Sequence, residues 1–107
     1  IVKQVALLDP GKLGAGLTAI VEITLDVQAA EALQAFETAI VGEPEVLQCY
    51  RVSPGPDFIL VLQLRDMPDY HAFAHRVFTS KKNVRNVRTF FSTHRAKYET
   101  RLALPSR

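Results

Sequence analysis

"DFILVLQLRDMPDYHAFAHRVF", residues 57–78, changes its period halfway along. Phe58, Leu60, Leu62 and Leu64 fall on one side of an extended chain, and Ile59 and Val61 on the other. Period two predicts a strand over 58–64. Both sides stay apolar until Gln63 and Arg65, so this strand is expected to be buried on both faces. Asp66-Met67-Pro68-Asp69 then predicts a helix start, with an early proline and acids that favour the dipole. Tyr70, Phe73, Ala74, Val77 and Phe78 follow at i, i+3, i+4, i+7 and i+8, which is one helix face.

Working outward, Val46–Val52 reads as the preceding strand, joined to 58–64 by Ser53-Pro54-Gly55-Pro56-Asp57. A plain hairpin would need only two turn residues. Upstream, Leu17–Leu25 alternates and predicts another strand. Asp26 is placed to cap a helix over 27–41, whose face is Ala29, Leu33, Phe36 and Ile40. Gly42 and Pro44 stop it. Downstream, Lys81–Asn83 closes the second helix, and Val84–Tyr98, rich in β-branched and aromatic residues, predicts a long last strand. The short run Val2–Leu8, ended by Asp9-Pro10-Gly11, predicts an extra leading strand.

The order is that of an α+β, ferredoxin-like βαββαβ fold with both helices on one sheet face. The opposite face has no helix left to cover it, which predicts association of two antiparallel sheets face to face. The whole of 1–107 is expected to be a single domain, with 1–16 as leading strand and linker and 17–104 as the ferredoxin-like core.

With 48% hydrophobic and 22% charged residues, the composition is that of one ordinary globular domain. No apolar run approaches the roughly 20 residues of a membrane helix, and Ile1–Leu8 is too short for a secretory core. Cys49 is the single cysteine, so no internal disulfide can form, which suits a cytoplasmic setting. Residues 1–75 hold four bases and ten acids, net −6, whereas 76–107 hold nine bases and only Glu99, net +8. A basic end of this kind suggests either a nucleic-acid surface or mutual neutralisation of the two halves.

Four segments, "ALLDPGKLGAGLTAIVEI" (6–23), "PEVLQCYRVS" (44–53), "DFILVLQLRDMPDYHAF" (57–73) and "NVRNVRTFFSTHRAKYET" (83–100), occur in an order and spacing that resemble the effector domain of Lrp/AsnC transcription regulators. The resemblance covers nearly the whole chain. It implies a domain that dimerises through its sheet, assembles further into tetramers or octamers, and senses an amino acid or related small molecule. It also implies that DNA is bound through an N-terminal helix-turn-helix. Nothing in 1–107 supplies a recognition helix, so DNA contact is expected only through a domain absent from this sequence. No cofactor and no membrane partner are implied.

In that family the turn between the second and third core strands lines the effector site. Here Ser53 and Asp57 match the hydroxyl and acid positions, while Pro54 stands at the usual glycine and Gly55 at the following acid. The prolines fix φ and remove two N–H donors, and Gly55 permits positive φ. Asp57 either pairs a ligand ammonium or closes the turn on backbone N–H groups. The same resemblance places the hydroxyls of Thr89 and Ser92 on the opposing wall, although strand threonines also serve packing alone; beside them, the forked guanidinium of Arg88 suits either an effector carboxylate or a salt bridge between subunits. His71 and His75 have a metal-like i, i+4 spacing but no third ligand, so no metal is expected.

The rival readings are a stand-alone ligand-binding protein, a dimeric α+β barrel enzyme, and an RNA-binding domain. The enzyme lacks a visible nucleophile–base pair. The RNA reading lacks the aromatic strand motif, because Phe90 and Phe91 are adjacent and point to opposite faces.

Overall fold

The computed structural model describes residues 16–100. The elements run β1 (Leu17–Leu25), α1 (Ala30–Val41), β2 (Val46–Arg51), β3 (Phe58–Leu64), α2 (Met67–Ala74), a π-helical turn (His75–Thr79) and β4 (Val84–Phe91). The four strands form one antiparallel sheet in the order β2-β3-β1-β4. This is the βαββαβ arrangement that the alternating periods predict. The leading strand expected over 2–8 lies outside the described residues.

Alternation sorts each strand into two faces. Ala19, Val21, Ile23 and Leu25 of β1, with Phe58, Leu60, Leu62 and Leu64 of β3, are buried. They form one core with Phe36 and Ile40 of α1 and with Phe73, Val77 and Phe78. Both helical segments therefore cover the same sheet face. Phe36 packs on Phe58 with ring centroids 5.0 Å apart, and Phe73 meets Phe78 edge-on at 5.4 Å. Truncating a residue as central as Leu60 to alanine costs about 2–5 kcal/mol.

The other face is open. Ile20 is 41% exposed, Tyr50 51% and Phe90 45%, while Ile59 and Val61 are half-buried. The expectation that β3 is buried on both faces holds only on the helix side of the single chain.

Three boundaries differ from the sequence reading. Asp26 does not cap α1: the cap is Ala29, which makes no side-chain bond. Asp26 instead donates its backbone N–H to the Asn83 carbonyl at 2.8 Å. The last strand stops at Phe91 rather than Tyr98, because Phe91 already pairs with Ala19 near the start of β1. Ser92 adds one more bond, from its N–H to the Thr18 carbonyl at 2.9 Å, and 93–100 run on without helix or strand. The second helix widens into its π-helical turn at His75, which the sequence pattern did not separate from α-helix. Adjacent Val77 and Phe78 both reach the core from that turn.

Gly16 begins the described chain where backbones come close. A Cβ there would lie 2.6 Å from the Leu64 carbonyl oxygen, so only glycine fits beside the end of β3.

Candidate functional site

The turn 53–57 sits at one end of the sheet, between β2 and β3. Its Ser53–Pro54 peptide is cis, and Gly55 has φ of +113°. An added Cβ at Gly55 would meet nothing within 4 Å. Backbone conformation, rather than lack of space, is what requires glycine there.

Asp57 ties this turn to β1. Its N–H donates to the Ile23 carbonyl at 2.8 Å, and its carbonyl accepts from Val52 N–H at 3.2 Å. Its carboxylate Oδ2 accepts from the Leu25 N–H at 2.8 Å and from Gln28 Nε2 at 3.3 Å. Gln28 also donates to the Leu25 carbonyl. Of the two roles open to Asp57, the turn-closing bonds are present. Both bonds to the carboxylate fall on Oδ2, so they do not occupy Oδ1.

The connection from β1 to α1 is held from its other side by Asn83. Its Oδ1 accepts from Val27 N–H at 2.9 Å, and its Nδ2 donates to the Val27 carbonyl at 3.2 Å. Three loops thus meet at one end of the sheet: 25–28, 53–57 and 80–83. Sequence reasoning passed over Gln28 and Asn83, because a glutamine near a helix start and an asparagine in a turn are both ordinary there.

The opposing-wall residues separate. Arg88 pairs with Glu22 across the open face, 3.6 Å from its carboxylate, and lies 5.3 Å above the Phe90 ring. It is opposite Glu22, which is in turn opposite Ile59, so Arg88 lies about one residue along from the end that carries the 53–57 turn. Thr89 is on the helix side, where its hydroxyl is 2.6 Å from the Tyr70 hydroxyl. Alternation puts neighbours on opposite faces, so Thr89 cannot share a wall with Arg88 in one chain. Ser92 lies on the open face beside Thr18, at the far end of β4. Val87 is level with Ile23 and Phe58. From Val87 to Ser92 at 3.4 Å per residue is roughly 17 Å, too far for one small ligand to span from the turn.

A concavity of about 870 Å³ lies over the open face. Its floor includes Ile20, Leu47 and Val61, and its rim is formed by Ser92, His94 and the chain through Thr100. Arg95 stacks over Tyr98 within this rim, 4.6 Å from the ring centroid. Reading 92–98 as strand hid this groove.

His71 and His75 are exposed. Among the described residues no group of three or more His, Cys, Asp or Glu is placed to hold a metal ion. Cys49 faces the helix side, half-buried against the core, and burial followed by the nearby Glu37 pushes its thiol pKa up. No helix among the described residues is long and apolar enough to cross a membrane.

Comparison with known proteins places this geometry in context. The profile of the Lrp/AsnC ligand binding domain matches residues 18–102. An uncharacterised HTH-type transcriptional regulator of Haemophilus influenzae is 34% identical over 104 residues, and the DNA-binding transcriptional activator DecR of Escherichia coli K12 is 35% identical over 104. Each alignment takes in 97% of this chain, which spans 62% of the first protein's length and 68% of the second's. Among solved structures, a transcriptional regulator–L-Met complex from Neisseria meningitidis superposes with a TM-score of 0.79 at 25% identity, covering 90% of this chain and 62% of that one.

Proposed function

Because this chain belongs to the Lrp/AsnC family of transcription regulators and corresponds to its ligand-binding domain, we propose that it senses an amino acid or a closely related small metabolite and oligomerises through its open sheet face. The observation that carries the ligand class is the L-Met held by a structural neighbour of the same fold. The reading is of a binding domain rather than an enzyme, working in the cytoplasm and needing no cofactor. DNA sequence is read by a part of the regulator outside residues 17–104, which we take as the ferredoxin-like core.

The ligand site we assign is the loop end of the sheet, with Ser53, Pro54, Gly55, Pro56 and Asp57 as one wall. An amino acid presents an ammonium and a carboxylate, so the site must offer an acid and a cation within one ligand length. Asp57 Oδ1 serves the ammonium while Oδ2 keeps the turn closed on Leu25. Arg88, paired with Glu22 at 3.6 Å and 62% exposed, is the cation we assign to the carboxylate. We leave Thr89, on the helix side, out of the wall we assign, and Ser92 joins it only if a second subunit brings it.

The open face supplies the reason to oligomerise. Ile20, Tyr50, Ile59, Val61 and Phe90 share it, and water-exposed apolar surface of that kind favours a covering partner. A second copy laid sheet to sheet is the simplest cover, and such dimers can pair further into tetramers or octamers.

Native mass spectrometry of the 107-residue chain with a panel of amino acids tests both parts. The expected result is a dimer or larger multiple that gains the mass of one ligand per subunit or per interface. A monomer with no adduct from the panel would contradict the reading.

A further inference from the structure

The loop end of the sheet, where the α2–β4 turn stands alongside the 25–28 and 53–57 loops, also holds cations that neither the core, the open face nor the wall assigned to the ligand employs. Lys81 and Arg85 line a shallow cleft of about 240 Å³ together with Thr79 and Asn86. Lys82 stands exposed beside it. Among the described residues no carboxylate pairs with the Lys81 or Lys82 ammonium. Arg85 has Asp26 at 3.8 Å, but both side chains are more than half exposed, and such pairs contribute little. Arg76, by contrast, is consumed by Glu43 at 2.7 Å and Glu45 at 3.3 Å.

Two features set this cluster apart from cations that merely blunt a sheet edge. Lys81 and Lys82 precede β4 rather than decorating it. The cleft is also lined by Phe78 and Val87, which belong to the helix side of the sheet. Covering the open face with a partner therefore leaves the Phe78 and Val87 side of the cleft in solvent, although Asn86 lies on the open face opposite Thr24. A volume of 240 Å³ is below the ~300–1,000 Å³ usual for small-molecule sites, so enclosure of a metabolite is a poor fit. A row of phosphates needs no enclosure: its affinity comes from charge and the release of condensed counterions.

We propose that Lys81, Lys82 and Arg85 form an auxiliary contact for the phosphate backbone of duplex DNA, one on each subunit, which adds affinity without reading sequence. This extends the ligand-sensing reading to a second partner and uses different residues.

The test is fluorescence anisotropy of the 107-residue chain with a labelled 20-base-pair duplex across 25–200 mM KCl. Binding is expected to be weak, insensitive to sequence and steeply salt-dependent. The triple change K81Q/K82Q/R85Q should lower the slope of log affinity against log salt by about 2–3, near one for each phosphate no longer neutralised. The control R95Q/K97Q, in the rim over the open face, should leave the slope nearly unchanged. Sedimentation and amino-acid binding, measured on the triple variant, should match the parent, which separates this proposal from the ligand reading. No binding at 25 mM KCl would overturn it, as would an unchanged slope in the triple variant. Displacement of the duplex by inorganic phosphate at concentrations too low to alter ionic strength would overturn it in favour of a small-anion site.

Discussion

The backbone N–H of Leu25, last residue of β1, donates to Oδ2 of Asp57 at 2.8 Å, across 32 positions of sequence. An acid in one loop thereby fixes where the neighbouring strand ends. Removing that acid leaves a part-buried N–H without its acceptor, and Gln28 loses the same partner. Asp57→Ala is therefore expected to destabilise the fold by about 1–3 kcal/mol, the range for leaving a buried donor unsatisfied. Urea unfolding measures it. Asp57→Asn keeps an oxygen for Leu25 but cannot hold an ammonium, so it should recover most of the stability and little of the ligand affinity. If Asn restores both, the carboxylate charge has no part in binding.

The Tyr70 and Thr89 hydroxyls, 2.6 Å apart, join α2 to β4 on the helix side of the sheet. Tyr70 also meets Phe91 edge-on at 5.1 Å. Thr89→Val preserves shape and strand preference while deleting the hydroxyl. It should cost about 0.5–1.5 kcal/mol. A double-mutant cycle with Tyr70→Phe should show coupling of similar size, and strictly additive losses would mean that the two hydroxyls do not sustain one another.

Those two pairings also mark how far the sequence could be read. The strand and helix periods are properties of each segment alone, so β1, β3 and the Tyr70/Phe73/Val77 face were legible from alternation and from i, i+3, i+4 spacing. The face on which Thr89 lies was equally implicit in that alternation, yet it emerges only once β4 is registered against β1, with Thr89 opposite Val21. Partnerships such as Asp57 with Leu25 and Asn83 with Val27 join loops far apart in sequence. No local pattern encodes them. The end of β4 failed for the same reason: Phe90 to Tyr98 carries residues with strand preference, but a strand needs a neighbour, and β1 offers none past Leu17 among the described residues.

Val61 sits on the open face, level with Ile20 of β1 and Gln48 of β2. Val61→Asp places a charge in the middle of the surface proposed to meet a second copy. Sedimentation velocity should show the parent chain as a dimer or larger, and the variant shifted to monomer at micromolar concentration. Burying that charge unpaired would cost several kcal/mol. An unchanged distribution would mean that this face is not the interface.

Cys49 offers a check on the packing of β2. Burial, and then the charge of Glu37, hold its thiol above its ordinary pKa, so the thiolate is scarcer than in a free cysteine at the same pH. Alkylation by iodoacetamide at pH 8 should run slower than that of a cysteine-containing peptide, and should catch up in 6 M urea. Equal rates in the folded and unfolded chain would mean that β2 leaves the sheet readily.

The start of α2 carries the pH dependence that can be signed. Asp66 is the N-cap, its Oδ1 accepting the Asp69 N–H at 2.9 Å, and Asp69 returns the arrangement by accepting the Arg65 N–H on Oδ2 at 3.0 Å. That backbone bond, foremost, holds the Asp69 carboxyl below its ordinary pKa, with the Arg65 charge adding to it. A carboxylate with a lowered pKa in the folded state binds protons less readily there than in the unfolded chain. Its contribution is therefore fully present above the unfolded value of about 3.9, and it is lost as the pH falls through the lower folded value. Asp69→Asn deletes that contribution at every pH. The stability gap between parent and variant should be constant from about pH 7 to pH 5 and should close progressively below about pH 4. Urea unfolding of both proteins at several pH values gives the curve. A gap that stays constant down to about pH 2 would show that the charge of Asp69 does not hold the first turn of α2. A gap that widens on acidification would mean that folding raises the Asp69 pKa instead of lowering it.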